Sequence, residues 1–466
     1  MPSYEQCHQP EVKAAMESIE HRLGTEMMKN DSVIKMIKIV EAFLKRKRLI
    51  CYGGTAINNV LPTALQFYDT TTELPDYDFF SPDPVSDAKE LADIYAKHGY
   101  EHVRASAGVH AGTFKVHVDY VPVADLTYLD PRLYAAIKSR TIVVKGIHYT
   151  PPVYLRMLMH LELSRPEGDV SRWDKVANRL ALLDQVYPMH EPGCTAPARQ
   201  AAVRERDALD ARYPALMPKL RSFLAEREVV FAGAFAVDEI NHSLRRTRLA
   251  PVTAPTQMVV ISTEAKKVAE DAKKFVGSMR VAVRMVEFPE IGEVIARHFV
   301  LVVDEKPLLI VFEALQCHAF NNIEIKKVNY QVATIDTMLT IYLAFVFIRA
   351  DLFPHATMIC ICNDLSRLAM ECRGSGRGAL GRFDRPCYGD QTTLADLRKG
   401  KDRNYKRLKG KNDAESRRQW TYYFMGYEPR KSTAATRPSS AAKAGGRRTR
   451  KRRSKGKKSK RSTRRR

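Results

Sequence analysis

The sequence predicts a mixed α/β (α+β) protein of short strands, built as two related halves with helical segments and a basic tail. Three observations support this. Short apolar runs near 49–52, 74–80 and 114–129 alternate with helix-length amphipathic stretches. The same order returns at 229–240, 254–275 and 299–315. The longest apolar run, near 339–348, is about half of the roughly 20 residues a membrane span needs, so it reads as a core helix.

The chain has 466 residues and a net charge of +23. Of its Lys and Arg, 17 lie in 431–466, where there is no Asp or Glu, which leaves +6 for the first 430 residues. The folded part is therefore mildly basic and the tail strongly so. The tail has no apolar residues for a core and is expected to be disordered. The eight cysteines form no CxxC pair, which argues against a zinc framework and for a reducing compartment. No signal peptide follows Met1, and an intracellular protein is expected.

Taken in order, 31–48 reads as a helix with Asp31 as N-cap and Ile34, Ile37, Phe43 and Leu44 on its apolar face. A strand at 49–52 and a short helix at 56–61 follow, with a double glycine between them. An alternating strand at 74–80 leads to a helix at 87–98. Residues 114–129 form a long strand or a hairpin. From 152 to about 186 the pattern is helical, with Ser171 and Asp174 spaced as a capping box and an apolar face of Trp173, Val176, Ala177, Leu180 and Leu183. The polar stretch 188–214, rich in Pro and Ala, is a boundary. The expected units are a helical segment (1–48), a first domain with a helical extension (49–187), a linker (188–214), a second domain (215–427) and the tail (428–466).

The chemistry lies in the first half. Gly53, Gly54 and Thr55 end a strand and open a helix. Glycines allow backbone N–H groups to approach a phosphate, and the helix N-terminus favours the anion. Asp76 and Asp78 are two apart, so on a strand they share one face. Two such carboxylates repel unless a cation lies between them, and Mg²⁺ (or Mn²⁺) is the natural neutraliser. A third carboxylate follows on the next β-segment, at Asp125 or at Asp119, which has the same strand parity. DxD or GGT alone is weak; the full order strand, GGT, helix, strand, DxD, strand, Asp is far more specific and supports metal-assisted nucleotidyl transfer. In the second half, Gly233 keeps the place of Gly53, Ala234 and Phe235 replace Gly54 and Thr55, and Thr256 and Met258, or a neighbour one place away, replace the carboxylates. Only the first half is expected to be catalytic.

The segments YGGTAIN, LPDYDFFSP, VADLTYL and LELSRPEGDVSRWDKV resemble the catalytic subunit of the poly(A) polymerases of large nucleocytoplasmic DNA viruses, of poxvirus and giant-virus type. That family is a branch of the DNA polymerase β-like nucleotidyltransferases. The resemblance is strongest over 48–186. It implies a polymerase β-like catalytic domain followed by a degenerate nucleotidyltransferase-like domain. It also implies transfer of AMP from ATP to the 3′-OH of mRNA without a template, by two metal ions. Asp76 and Asp78 match the metal-binding pair, Asp125 best matches the third carboxylate, and Gly53, Gly54 and Thr55 match the nucleotide-phosphate loop. One departure is a longer spacing from Thr55 to Asp76 than the wider superfamily shows.

Arg172, Lys175 and Arg179 are spaced i, i+3, i+7, off the Trp173 face. They form either a solvated face or a contact to triphosphate or RNA, with Lys175 assigned to the nucleotide. Arg165, upstream, also matches the family. Expected partners are the RNA 3′ end, ATP, and a second subunit (homodimeric or processivity-conferring), with no membrane. The tail suits nucleic acid in a salt-dependent way or a nuclear address. Host cytoplasm, virion and nucleus are all open. A nucleotidyltransferase acting on tRNA, protein or a small molecule, and a non-catalytic RNA-binding scaffold, are the competing readings. No HExxH, GxSxG or Walker-type loop is present.

Overall fold

The computed structural model describes residues 4–69, 71–189, 211–243, 257–292, 294–348, 355–375, 381–383 and 385–429. Most of the expected linker and nearly all of the tail lie outside these residues. Residues 1–429 form one compact unit. Among the described residues no helix is long and apolar enough to cross a membrane.

Two eight-stranded sheets organise that unit. The strands of the first are β1 (Ile50–Cys51), β2 (Asp78–Ser81), β3 (Val103–Ala107), β4 (Thr113–Val118), β5 (Val121–Tyr128), β6 (Ile142–Val144) and β7 (Ile147–Tyr149), with β16 (Gly426–Tyr427) added at one edge. Their spatial order is β16-β3-β4-β5-β2-β1-β7-β6. The second sheet uses β8 (Val230–Phe231), β9 (Met258–Ser262), β10 (Arg284–Phe288), β11 (His298–Val303), β12 (Lys306–Glu313), β13 (His318–Ile325), β14 (Val328–Ala333) and β15 (Cys387–Tyr388). Its order is β10-β11-β12-β9-β8-β14-β13-β15.

The second sheet reproduces seven strands of the first in the same order, while the eighth strands, β16 and β15, attach at opposite edges. Each half has one parallel pairing between its second and fifth strands (β2–β5, β9–β12) and one between its first and seventh (β1–β7, β8–β14). The other pairings that correspond are antiparallel in both halves. Even the register shift in β4–β5 recurs in β11–β12. The repeat read from the sequence is thus present as topology.

The strand register also sharpens the correspondence. Cys51 pairs with Phe79, and Phe231 with Val260. Asp76 and Asp78 therefore fall opposite Gln257 and Val259, one place from Thr256 and Met258. Asp78 pairs with Asp125 where Val259 pairs with Ile310. The second half has replaced every one of these carboxylates with a neutral side chain.

Helices cover the sheets and join the halves. The helix Asp31–Lys47 buries Val33, Met36, Val40, Phe43 and Leu44. Ile34 and Ile37 flank that face rather than lie in it. Its N-cap is Asn30, not Asp31, because the Asn30 side chain accepts from the Ser32 amide at 2.9 Å. The capping box at 171–174 does not form. Ser171 donates instead to Asp169 Oδ1 (2.5 Å), and a 3-10 turn, Val170–Arg172, precedes the helix Trp173–Val186.

The helices Pro152–Leu163 and Ile335–Phe345 each follow the seventh strand of their half, and they pack on each other. Between them lies a buried charge cluster. Asp336 accepts from Arg382 Nε and Nη2 (2.7 and 2.5 Å) and lies 2.8 Å from His160 Nδ1. The Arg382 guanidinium and the histidine hold the Asp336 carboxyl well below the usual carboxylate range despite its burial. The apolar run near 339–348 forms the core helix expected of it, with Leu339, Tyr342 and Leu343 fully buried.

The cysteines depart from the reading of a chain without disulfides. Cys317 and Cys387 are joined, with Cα atoms 5.3 Å apart, which ties the start of β13 to β15. Cys360 and Cys362 are both buried in the helix His355–Ser375, and Cys360 is also disulfide-bonded, so the pair is more than helix packing.

Candidate active site

Chain order places Asp76, Asp78 and Asp125 on separate segments; the parallel pairing of β2 with β5 brings them together. Asp78 and Asp125 are register partners on those adjacent strands. Asp76 lies in the extended segment just before β2 rather than in the strand. Its position is set by backbone bonds nearby: the Asp125 amide donates to the Tyr77 carbonyl at 3.0 Å, and the Tyr52 amide donates to the Asp78 carbonyl at 2.9 Å. The sequence argument for a shared face assumed a continuous strand; the structure reaches the same convergence with a shorter one.

The three carboxylates repel one another. Burial, then Asp76 and Asp125, push Asp78 up to about 7. Burial, then Asp125, raises Asp76 as well. The main compensation comes from Lys115 on β4, which pairs with Asp125 and was not singled out from the sequence. The Lys115–Asp125 register, one strand over from Asp78, is the signal that could have found it. Arg172 adds a weaker positive field at Asp78 and pairs with Glu162 at 3.1 Å.

Asp119 is elsewhere. With Tyr120 it forms the two-residue turn of the β4–β5 hairpin, both in the left-handed region (φ 47° and 68°). Asn or Asp is favoured there because a left-handed residue without Gly is otherwise costly. The turn ends the strands far along from Asp125.

The glycine pair begins a helix, Gly53–Val60, directly after β1. The sequence reading had started that helix three residues later. Gly53 has φ 73°, and a Cβ there would lie 2.7 Å from Asp78 Oδ2. A Cβ on Gly54 would lie 2.3 Å from the Tyr68 hydroxyl and 3.0 Å from Arg179. Gly53 is required by its backbone conformation and by the close approach of Asp78, whereas a side chain at residue 54 would displace the Tyr68 hydroxyl and the Arg179 guanidinium. The first-turn amides of this helix have no intrahelical partner and carry the positive end of its dipole.

Thr55 was expected to donate its hydroxyl to a phosphate. It is buried, and its hydroxyl donates to the Asp76 carbonyl at 2.6 Å, pinning the loop that carries Asp76.

Of the three basic residues on the helix Trp173–Val186 and its approach, Arg179 reaches the glycine pair. Its guanidinium lies 4.7 Å over the Phe67 ring and donates to the Tyr68 hydroxyl at 2.8 Å. Lys175 stands exposed one turn earlier. Arg165 lies at the junction of the halves beside His318, whose pKa burial lowers to about 4, with Arg165 adding to the shift.

The second half shows the same geometry without the chemistry. A Cβ on Gly233 would meet the Val259 amide at 2.6 Å, as one on Gly53 would meet Asp78. Gly233 is kept for a close backbone approach.

Three carboxylates are the donor type that takes Mg²⁺ or Mn²⁺, and the raised pKa of Asp78 and Asp76 reports uncompensated negative charge there. Their oxygens do not all lie within 4.8 Å of one another as the side chains stand; among the described residues only Glu167, Cys317 and Cys387 do.

Comparison with known proteins agrees. Residues 38–169 match the family model described as poly(A) polymerase catalytic subunit. Over 159 residues the chain is 36% identical to the putative poly(A) polymerase catalytic subunit of African swine fever virus (isolate Tick/Malawi/Lil 20-1/1983), covering 33% of each chain. It is 29% identical over 160 residues to the corresponding protein of Acanthamoeba polyphaga mimivirus, covering 34% of this chain and 27% of that one. The match thus spans about a third of the length of these curated relatives. The fold is similar to that of the crystal structure of the Megavirus polyadenylate synthase, with a TM-score of 0.69 and 20% identity, over 92% of this chain and 87% of that one. The chain therefore resembles the viral poly(A) polymerase catalytic subunits and has a nucleotidyltransferase-like fold. The matched segment contains Gly53, Gly54, Thr55, Asp76, Asp78 and Asp125.

Proposed function

We propose that the protein is a template-independent poly(A) polymerase that transfers AMP from ATP to the 3′-OH of an RNA. The convergence of Asp76, Asp78 and Asp125 beside the Gly53–Gly54 helix start is the observation that carries the reading. Specificity for ATP and for mRNA follows from the family resemblance.

Each group has a physical task. Asp76, Asp78 and Asp125 would hold two Mg²⁺ ions. When bound, these supply Lewis-acid activation of the primer hydroxyl and neutralise charge on the leaving pyrophosphate. Lys115 limits the repulsion among the carboxylates through Asp125. Thr55 fixes the Asp76 backbone. The amides of Gly53 and Gly54 donate to the triphosphate oxygens, and Arg179, held against Phe67 and Tyr68, supplies a cation at its edge. Lys175, exposed on the same helix, is placed to meet triphosphate or RNA from the solvent side. The second half, stripped of carboxylates, supports the first rather than catalysing.

The test is primer extension with Mg²⁺, an oligo-RNA and each of the four NTPs separately. ATP-dependent lengthening is expected. Label from ATP appearing on tRNA, protein or a small molecule, with no RNA extended, would instead identify another nucleotidyltransferase.

A further inference from the structure

We propose that the helical hairpin formed by Leu394–Leu408 and Ala414–Phe424 holds the sugar–phosphate backbone of the RNA primer upstream of its 3′ end. The inference rests on the poly(A) polymerase reading and adds the surface that carries the primer.

Charge singles the hairpin out. Residues 394–429 contain ten Lys/Arg against five Asp/Glu, whereas residues 1–393 contain 48 of each. The net positive charge of the folded unit therefore lies in its last 36 residues. Two of the five carboxylates serve as helix caps: Asp396 in a capping box with Thr393, and Asp413 accepting from the Ser416 amide. Arg403, Lys406 and Arg418 are exposed and make no ion pair among the described residues. Such a concentration on an otherwise neutral unit suits a polyanion.

Position supports RNA at this site. The strand that ends the hairpin, β16, extends the catalytic sheet at its edge. One row crosses the sheet: Gly426 pairs with Ser106, Ser106 with Lys115, Lys115 with Asp125, and Asp125 with Asp78. Three strand spacings separate Gly426 from Asp125, about 14 Å. At about 3.4 Å per stacked nucleotide, this is roughly four nucleotides. Lys401 Nζ donates to the Gly108 carbonyl at 2.9 Å, and Tyr422 packs on Phe114 (ring centroids 6.1 Å apart), which fixes the hairpin to this edge.

The hairpin has little core of its own. Leu408 is its one buried residue among those described in the two helices. Tyr405, Trp420 and Phe424 clasp the helices together, with centroids 5.4 Å (Tyr405–Trp420) and 4.8 Å (Trp420–Phe424) apart. Tyr405 stays 41% exposed, with Lys409 over its ring at 5.4 Å. An exposed ring among cations offers a base a stacking surface. A protein partner would need an apolar hot spot, and Leu394 and Tyr405 alone do not make one.

The test uses the full chain and an Arg403→Ala/Lys406→Ala/Arg418→Ala variant. For a ten-nucleotide primer, KM should rise about tenfold or more, while kcat and the ATP KM stay unchanged. For a dinucleotide primer, too short to reach the hairpin, nothing should change. Direct binding of a labelled oligo-RNA should weaken and show a shallower salt dependence. An Arg403→Lys/Lys406→Arg/Arg418→Lys variant should restore both. The basic tail is common to all variants and cancels. Equal effects on both primer lengths, unaltered RNA affinity, or loss of a protein partner in place of RNA would overturn the proposal. If the polymerase reading itself fails, the wild type extends nothing, and the RNA-binding measurement still reads the hairpin.

Discussion

A side chain at residue 53 would collide with the carboxylate of Asp78: a Cβ on Gly53 would lie 2.7 Å from Asp78 Oδ2. The glycine loop and the carboxylate cluster are thus one close-packed object, and Gly53 also sits at φ 73°, which L-residues rarely adopt.

Gly53→Ala should therefore lose activity and stability together. Strain and contact at this position cost roughly 1–3 kcal/mol, read as a lower melting temperature. Displacement of Asp78 should lower primer extension at least about 100-fold. An alanine variant with wild-type extension would show that the loop does not position Asp78.

The carboxylate roles separate by mutation. Asp78→Ala and Asp125→Ala should each reduce extension by about 1000-fold or more, the scale of losing a major electrostatic stabiliser. Asp119→Ala, in the hairpin turn, should leave kcat near wild type. Steady-state kinetics on all three decide it, and a catalytic defect confined to Asp119→Ala would reverse the assignment.

The pH dependence follows from Asp78. Its folded pKa, pushed up to about 7 from 3.8 by burial and by Asp76 and Asp125, means that the fold favours the neutral acid. This favourable contribution is fully present below about pH 4 and is lost as pH rises through 7. Metal-free Asp78→Asn should therefore be more stable than wild type at pH 8, by about 4 kcal/mol, with the gap closing toward pH 4. Added Mg²⁺ should narrow it by stabilising wild type. Urea melts at several pH values, with and without EDTA, provide the measurement.

Extension at limiting Mg²⁺ should fall as pH drops below 7, because protons compete with the cation for Asp78 and Asp76, both of raised pKa. Saturating Mg²⁺ should move that fall to lower pH. A profile independent of Mg²⁺ would remove these carboxylates from metal binding.

Breaking the buried cluster between the halves should be costly without touching chemistry. Asp336→Ala leaves Arg382 and His160 buried without their carboxylate, a change worth about 3–5 kcal/mol. Chemical denaturation should show that loss, while kcat of the surviving folded protein stays close to wild type.

Much of this was legible in the sequence because it is local. Apolar periodicity located most of the elements, and alternation at 114–129 marked it as β while leaving open a long strand or a hairpin, which the structure shows to be the β4–β5 hairpin. The strand–GGT–helix start and the Asp-x-Asp are signals within a few residues. Two expectations gave way to a neighbour in sequence: Asn30 took the cap from Asp31, and Ser171 turned to Asp169. A third gave way to a distant segment: Thr55 gave its hydroxyl to the Asp76 carbonyl, 21 residues on. The disulfide between Cys317 and Cys387 joins residues 70 apart, which no spacing rule predicts.

The sequence by itself determined that the chain alternates short strands and helices, that the order is doubled, and that only the first copy keeps an Asp-x-Asp downstream of its glycines. Those facts rest on residue type and separation along the chain. Tertiary structure alone decided which third carboxylate joins the pair, because strand register, not parity, sets Asp125 beside Asp78 and leaves Asp119 in a turn. It also decided that the vacated positions are Gln257, Val259 and Ile310, that Lys115 pairs with Asp125, and that of Arg172, Lys175 and Arg179 it is Arg179 that lies against the glycine pair. Register and side-chain reach are properties of paired strands and packed helices, which form only when distant segments meet.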